Sequence, residues 1–203
     1  MNNLTFIELG KNASSTLKPS IKKLGINFYH LDHNNPVVRP NADLKVIFCY
    51  RDPIDRFISA WRSRYEMGWP NYFPNPWMGI EPDVFNYYNN PEDYIQDILK
   101  GKLIFKPIHG HFLPQSSILS SIRTNQIEFV LDFDDIQNSF NKLCTHLGKS
   151  PIKLGHEHSA KTKKEEVADR PKCSKDYKHL SDSSISFLKG LYNYDYLLKA
   201  KII

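Results

Sequence analysis

Three groups of residues in this 203-residue chain have the types and spacing to do chemistry. The first is Lys11, at the end of the apolar run Leu4 to Leu9, followed by Asn12, Ala13, Ser14, Ser15 and Thr16. A loop between a strand and a helix offers free backbone N–H groups and the positive end of the helix dipole. Here it adds one ammonium, small residues at 10 and 13 that permit close approach, and three hydroxyls. That chemistry suits phosphate or sulfate. The loop is not a Walker A loop, in which the lysine comes near the end rather than the start. The second group is Arg51, with Arg56 and Ser59 on a polar helical face beyond it; guanidinium forks match phosphate oxygens. The third is His109 and His111 in IHGHFLPQ, together with Asp32 and His33. Imidazole titrates in the range a general base needs. Each group also has a plainer reading: a strand–helix turn with a surface lysine, a capped helix with a surface ion pair, and a structural histidine. Together, the first two groups could hold the two ends of one ligand carrying two separated anionic groups.

The elements that must position these residues alternate between strand and helix. TFIELG reads as a buried strand, with Leu17, Ile21 and Leu24 following at helical spacing. If Thr16 is the N-cap, Pro19 falls in the first turn, where its missing N–H costs no helical bond. INFYHL, residues 26–31, looks like a second strand, and LKVIFCY, 44–50, is the clearest strand in the chain. Asp52 is then a good N-cap with Pro53 at the first helical position. Ile54, Phe57, Ile58, Trp61 and Tyr65 form one apolar face; Arg56, Ser59 and Ser63 share another. Residues 68–89 read as a long structured loop rich in Pro, Gly, Asn and aromatics. Trp69, Tyr72, Phe73 and Trp77 in it could stack on sugar faces, though such aromatics more often fill a local core. Asn90 and Pro91 open a helix ended by Gly101. A short helix is expected over 118–122, a strand over 128–133, and an amphipathic helix over 136–147 closed by Gly148. Residues 149–180 read as polar, basic loop, and a last helix starts at Ser181 or Asp182. The pattern predicts an α/β fold with a mostly parallel central sheet, whose ligands bind at the carboxyl ends of strands.

Composition bounds the function. With 40% apolar and 13% aromatic residues the chain is globular, not disordered. No apolar stretch approaches the ~20 residues that span a bilayer, which predicts no stable membrane insertion. The start, MNNLTFIELG, does not read as a signal peptide. Three scattered cysteines make neither a disulfide framework nor a zinc site, so a cytoplasmic location is expected. The net charge of +5 is uneven: residues 1–64 carry ten Lys/Arg against five Asp/Glu, 65–138 four against ten, and 139–203 thirteen against seven. A nucleic-acid binder would show a more continuous basic stripe. Basic ends around an acidic middle fit a smaller polyanion instead, and Lys161, Lys163 and Lys164 either close over it or are solvated surface.

GKNASSTL resembles the 5′-phosphosulfate loop of sulfotransferases, and CYRDPIDRFISAWRSRY resembles their 3′-phosphate motif, with Arg51, Asp52, Pro53, Arg56, Ser59, Ala60 and Arg62 in register. HFLPQ, residues 111–115, is similar to a signature of the carbohydrate (Golgi-type) sulfotransferase branch. FVLDFDDIQNSFNKLCTHLG and LYNYDYLL resemble segments that follow it in that family. The resemblance covers most of the chain except residues 66–100. It implies a P-loop-NTPase-like three-layer fold in a single domain over residues 1–203, with 66–100 as an acceptor-side insertion. It also implies the donor 3′-phosphoadenosine 5′-phosphosulfate (PAPS), the product 3′,5′-ADP, and transfer to a hydroxyl of a carbohydrate or glycan. By the same resemblance Lys11, Asn12, Ala13, Ser14, Ser15 and Thr16 hold the 5′ end, and Arg51 and Ser59 the 3′-phosphate. Gly10 departs from the usual proline. The chain also lacks the membrane anchor and cysteines of secreted members, which points to a short, bacterial-type enzyme.

Sulfuryl transfer should run in line, with Lys11 neutralising the leaving oxygen. Because a sulfuryl group carries less negative charge than a terminal phosphoryl group, lysine and amide dipoles could suffice, and no metal is expected. His111 and His109 are the leading candidates for the base, with His33 and Asp32 as alternatives. Two rival readings stand beside this one: a P-loop small-molecule kinase, and a non-catalytic protein that binds PAPS or 3′,5′-ADP.

Overall fold

The computed structural model describes residues 4–31, 43–67, 77–155, 173 and 177–202. Four parallel strands, β1 (Leu4–Ile7), β2 (Asn27–Tyr29), β3 (Lys45–Tyr50) and β4 (Ile127–Asp132), form one sheet in the order β2-β1-β3-β4. β1 pairs with β2 from Thr5↔Asn27 to Ile7↔Tyr29 and with β3 from Leu4↔Lys45 to Ile7↔Phe48. Between β3 and β4 the register slips by one residue: Val46 faces Ile127 and Ile47 faces Phe129.

Helices flank both faces. Strand side chains alternate between faces, so Phe6, Ile47, Cys49 and Leu131 pack with Leu17 and Ile21 of α1 (Ser14–Lys23) and with Phe140, Leu143 and Cys144 of α6 (Ile136–His146). On the opposite face Ile7, Val46, Phe48 and Tyr50 pack with Ile118 of α5 (Gln115–Ile118) and Leu198 of α8 (Asn193–Ile202). The result is a three-layer α/β arrangement with an all-parallel sheet, as expected from the sequence.

A second core lies beside the sheet. Phe57, Trp61 and Tyr65 of α2 (Pro53–Met67) pack on Val84 and Phe85 of α3 (Glu81–Phe85), Tyr94 and Ile95 of α4 (Pro91–Leu99) and Leu188 of α7 (Asp182–Leu191). Trp77 is buried in this cluster, in contact with Tyr65 and Phe85, so it fills a core and is not available to stack on a sugar. Trp69, Tyr72 and Phe73 lie outside the described residues. Arg64 of α2 meets Glu81 in a buried two-pronged ion pair (both contacts 2.6 Å), and Trp77 Nε1 donates to the Arg64 carbonyl at 2.9 Å.

Several element bounds differ from the sequence reading. α1 starts at Ser14, not after Thr16, so Pro19 sits inside the helix and removes one interior hydrogen bond. The short helix expected over 118–122 is one turn at 115–118, and a five-residue helix, α3, lies where loop was expected. The C-terminal helix is two, α7 and α8, broken at Tyr192.

Candidate active site

In strand order β2-β1-β3-β4, the chain leaves β1 toward one edge of the sheet and β3 toward the other. The crevice between the carboxyl ends of β1 and β3 is therefore the topological switch point, where open parallel sheets bind ligands. Lys11 follows β1 and Arg51 follows β3, so topology delivers both basic motifs to this crevice. They touch: Arg51 Nη1 donates to the Lys11 carbonyl at 2.8 Å.

The β1–α1 turn is tightly wound. Lys11 (φ 68°) and Ala13 (φ 58°) both take left-handed backbone without being glycine, a strain of about 1 kcal/mol or more each. Alternating left-handed geometry turns successive N–H groups toward one concavity. Ala13 is the N-cap of α1, no side chain caps the helix, and the first intrahelical acceptor bond is Leu17 N–H to the Ala13 carbonyl, 2.9 Å. The N–H groups of Ser14, Ser15 and Thr16 precede that bond and so face outward at the positive end of the helix. Ser14 Oγ turns back to the Leu9 carbonyl at 3.0 Å, Ser15 is exposed and Thr16 half-buried. The start of α2 is different: Asp52 Oδ1 already accepts from the N–H groups of Ile54 and Asp55. α1, not α2, is the helix with donors to offer.

Asn12 is a strut. Its side chain is 1% exposed, and Nδ2 donates to the Cys49 carbonyl at 2.5 Å and to Gln115 Oε1 at 2.6 Å. Gln115, itself fully buried, also accepts from the Arg51 N–H (3.2 Å) and donates from Nε2 to the Arg51 carbonyl (2.8 Å). Asp195 of α8 accepts from the backbone N–H of Gln115 (2.9 Å) and Ser116 (2.7 Å) and from Ser116 Oγ (2.6 Å). One connected polar network thus ties the C-terminal helix to both basic loops. Gln115 and Asp195 stand in motifs visible in the sequence, but no role for either was legible there. The signal was a buried-type apolar context around an amide and around a lone carboxylate.

Arg56 corrects an expectation. It does not stand on a polar face beside Ser59: it is 1% exposed, with Nε on the Gly10 carbonyl (3.0 Å) and Nη1 on the Leu113 carbonyl (2.6 Å). Ser59 is half-buried in the second turn of α2.

The electrostatics suit an anion. Among the described residues no carboxylate lies within ion-pair distance of Lys11, Arg51 or Arg56. Burial, and then the charges of Arg51, Arg64, Arg56 and Arg62, push the Lys11 ammonium down to about 8. Arg51 packs its guanidinium 4.1 Å from the Phe133 ring centre, and buried Arg51 Nε and Arg56 Nη2 have no hydrogen-bond partner. Positive charge with no ion-pair partner and unspent buried donors are unfavourable without a ligand. These residues fit a phosphosulfate-type ligand.

His109 and His111 lie close, rings 4.5 Å apart, on a turn that abuts the β1 loop. His109 Nδ1 accepts from the His111 backbone N–H at 3.2 Å, which leaves the proton of a neutral His109 on Nε2. His33 and Asp32, like Lys161, Lys163 and Lys164, lie outside the described residues. No group of three or more metal-ligating side chains occurs among the described residues.

A family model described as the sulfotransferase family matches residues 7–198. The chain therefore belongs to the sulfotransferase family, transferases that move a sulfuryl group, in general from a PAPS-type donor, to an acceptor. No curated protein and no solved structure matched it. Family membership sets aside the kinase reading. No helix among the described residues is long and apolar enough to cross a membrane.

Proposed function

We propose that the protein transfers the sulfuryl group of PAPS to a hydroxyl of a carbohydrate or glycan. The Arg51–Lys11 hydrogen bond carries this reading, because it joins at one crevice the two motifs expected to hold opposite ends of one donor. The N–H groups of Ser14 to Thr16 and the Lys11 ammonium would hold the 5′ end; Arg51 and Ser59 would hold the 3′-phosphate. Bound there, PAPS supplies an activated sulfur: the acceptor oxygen bonds to it as the bond to the bridging 5′-phosphate oxygen breaks. Lys11 neutralises the charge that develops on that oxygen, and the loop N–H groups are oriented in advance. His111 takes the acceptor's proton. His109 is the weaker candidate, since the Nδ1 lone pair is already spent on the His111 N–H and a neutral ring then carries its proton on Nε2. The carbohydrate acceptor rests on the HFLPQ resemblance. All three cysteines are free thiols, two of them buried, which supports a cytoplasmic enzyme.

A non-catalytic PAPS-binding protein is the alternative, and one experiment separates the two. Thermal stabilisation by 3′,5′-ADP but not by ATP-Mg²⁺, with label passing from PAPS to a fractionated glycan mixture, supports the enzyme. Stabilisation without transfer to any fraction supports the binding protein, and stabilisation by ATP-Mg²⁺ alone contradicts both.

A further inference from the structure

Gly10 is the one position in the β1–α1 turn where the absence of a side chain is required by space. Its neighbours Lys11 and Ala13 carry left-handed backbone as non-glycine residues, whereas Gly10 itself does not lie in that region. Glycine is therefore not there for conformational freedom. A Cβ on Gly10 would fall on the His111 ring: closer to Cδ2 than real Cβ atoms come to any neighbour, 2.8 Å from Nε2 and 3.3 Å from Cγ.

Neither backbone can easily give way, so the displacement falls on the imidazole. On the loop side the Gly10 carbonyl is held by buried Arg56 Nε at 3.0 Å. On the histidine side the same guanidinium holds the Leu113 carbonyl (2.6 Å), Tyr192 Oη holds the Phe112 carbonyl (2.7 Å), and His109 Nδ1 holds the His111 N–H (3.2 Å). One buried arginine thus clamps both backbones, and the Cδ2–Nε2 edge of the imidazole is laid against the residue preceding Lys11. We propose that Gly10 is a positioning residue for His111: by having no side chain it seats the imidazole on the donor loop and fixes its Nε2 edge relative to Lys11. This rests on the reading of His111 as the base. A methyl group at residue 10 would turn the ring out of place.

The test compares Gly10→Ala, His111→Ala and the double variant in three measurements: thermal unfolding, 3′,5′-ADP affinity, and the pH profile of 3′,5′-ADP release from PAPS with water as acceptor. Gly10→Ala is expected to lower the melting temperature in the wild-type background and not in the His111→Ala background, because groups in contact are non-additive. It should slow release at saturating PAPS at least about tenfold, beyond any change in 3′,5′-ADP affinity, and abolish the same acidic limb that His111→Ala abolishes, with the double variant no slower than either. Equal destabilisation by Gly10→Ala in both backgrounds overturns the contact. Wild-type turnover and pH profile from Gly10→Ala, with His111→Ala impaired, overturns the positioning role. Wild-type turnover and profile from His111→Ala overturns the base reading itself, and the unfolding comparison still decides the contact.

Discussion

Arg51 Nη1 donates to the Lys11 carbonyl at 2.8 Å across forty residues of sequence. The bond fixes the end of β3 against the turn after β1 and sets two cationic residues, neither with an ion-pair partner among the described residues, on the same crevice. A change at either residue should therefore register in binding of the same ligand.

Arg51→Ala is predicted to weaken 3′,5′-ADP binding by at least about tenfold, in line with losing a charge-assisted hydrogen bond. Arg51→Lys should restore little, since an ammonium cannot both hold the Lys11 carbonyl and lie flat on Phe133. Calorimetric titration with 3′,5′-ADP measures both. Wild-type affinity in Arg51→Lys would mean that only the charge matters.

Lys11 should make binding pH-dependent in a defined direction. Its ammonium is held down to about 8, against an ordinary 10.5. Between those values the unfolded chain binds the proton and the free folded protein does not, so stability without ligand rises with pH through that window. Below about 8 both states are charged and the penalty of the buried ammonium is fully present. A bound anion reverses the shift, so 3′,5′-ADP binding near pH 8.5 should take up a proton and weaken as pH climbs further. Titrations in buffers of different ionisation enthalpy report that proton. Lys11→Met should abolish the uptake and cost about a hundredfold in turnover; uptake that persists would assign it to another group.

Much of this was readable in the sequence because local chemistry and tertiary demand agreed. VIFCY, residues 46–50, is apolar throughout since that part of β3 is buried on both faces, and Asp52-Pro53 starts a helix by capping alone. What was not readable depends on partners distant in sequence. Arg56 looks like a surface residue by helical period, and only the carbonyls of Gly10 and Leu113, 46 and 57 residues away, make a buried guanidinium tolerable there. Pro19 reads as a first-turn residue only if the helix starts late; the left-handed Ala13 starts it at Ser14. Gly10 reads in the sequence only as a small residue where the family usually has proline, and the ring that leaves no room for a Cβ there is 101 residues on.

Asp195 is predicted to hold the site together from outside it. It is fully buried and accepts four hydrogen bonds from Gln115 and Ser116, the longest, from Gln115 Nε2, at 3.5 Å. Asp195→Ala should cost about 2–4 kcal/mol of stability by stranding those donors, and should weaken 3′,5′-ADP binding although Asp195 touches no ligand. Urea unfolding with and without 3′,5′-ADP reads both. A stability loss with unchanged affinity would confine Asp195 to folding.

Glu81→Ala removes the carboxylate from the buried Arg64 guanidinium. The expected cost is about 3–5 kcal/mol, whereas a joint Arg64→Met, Glu81→Leu exchange should recover most of it. Chemical denaturation of the two variants checks this; equal losses would mean that the pair itself stabilises the aromatic core.

The central claim is that one donor spans the two basic motifs, and a crystal structure with 3′,5′-ADP tests it most directly. The account predicts the 5′-phosphate on the N–H groups of Ser14 to Thr16 beside Lys11, and the 3′-phosphate on Arg51 and Ser59. Nucleotide bound elsewhere, or with only one phosphate meeting these residues, would contradict it.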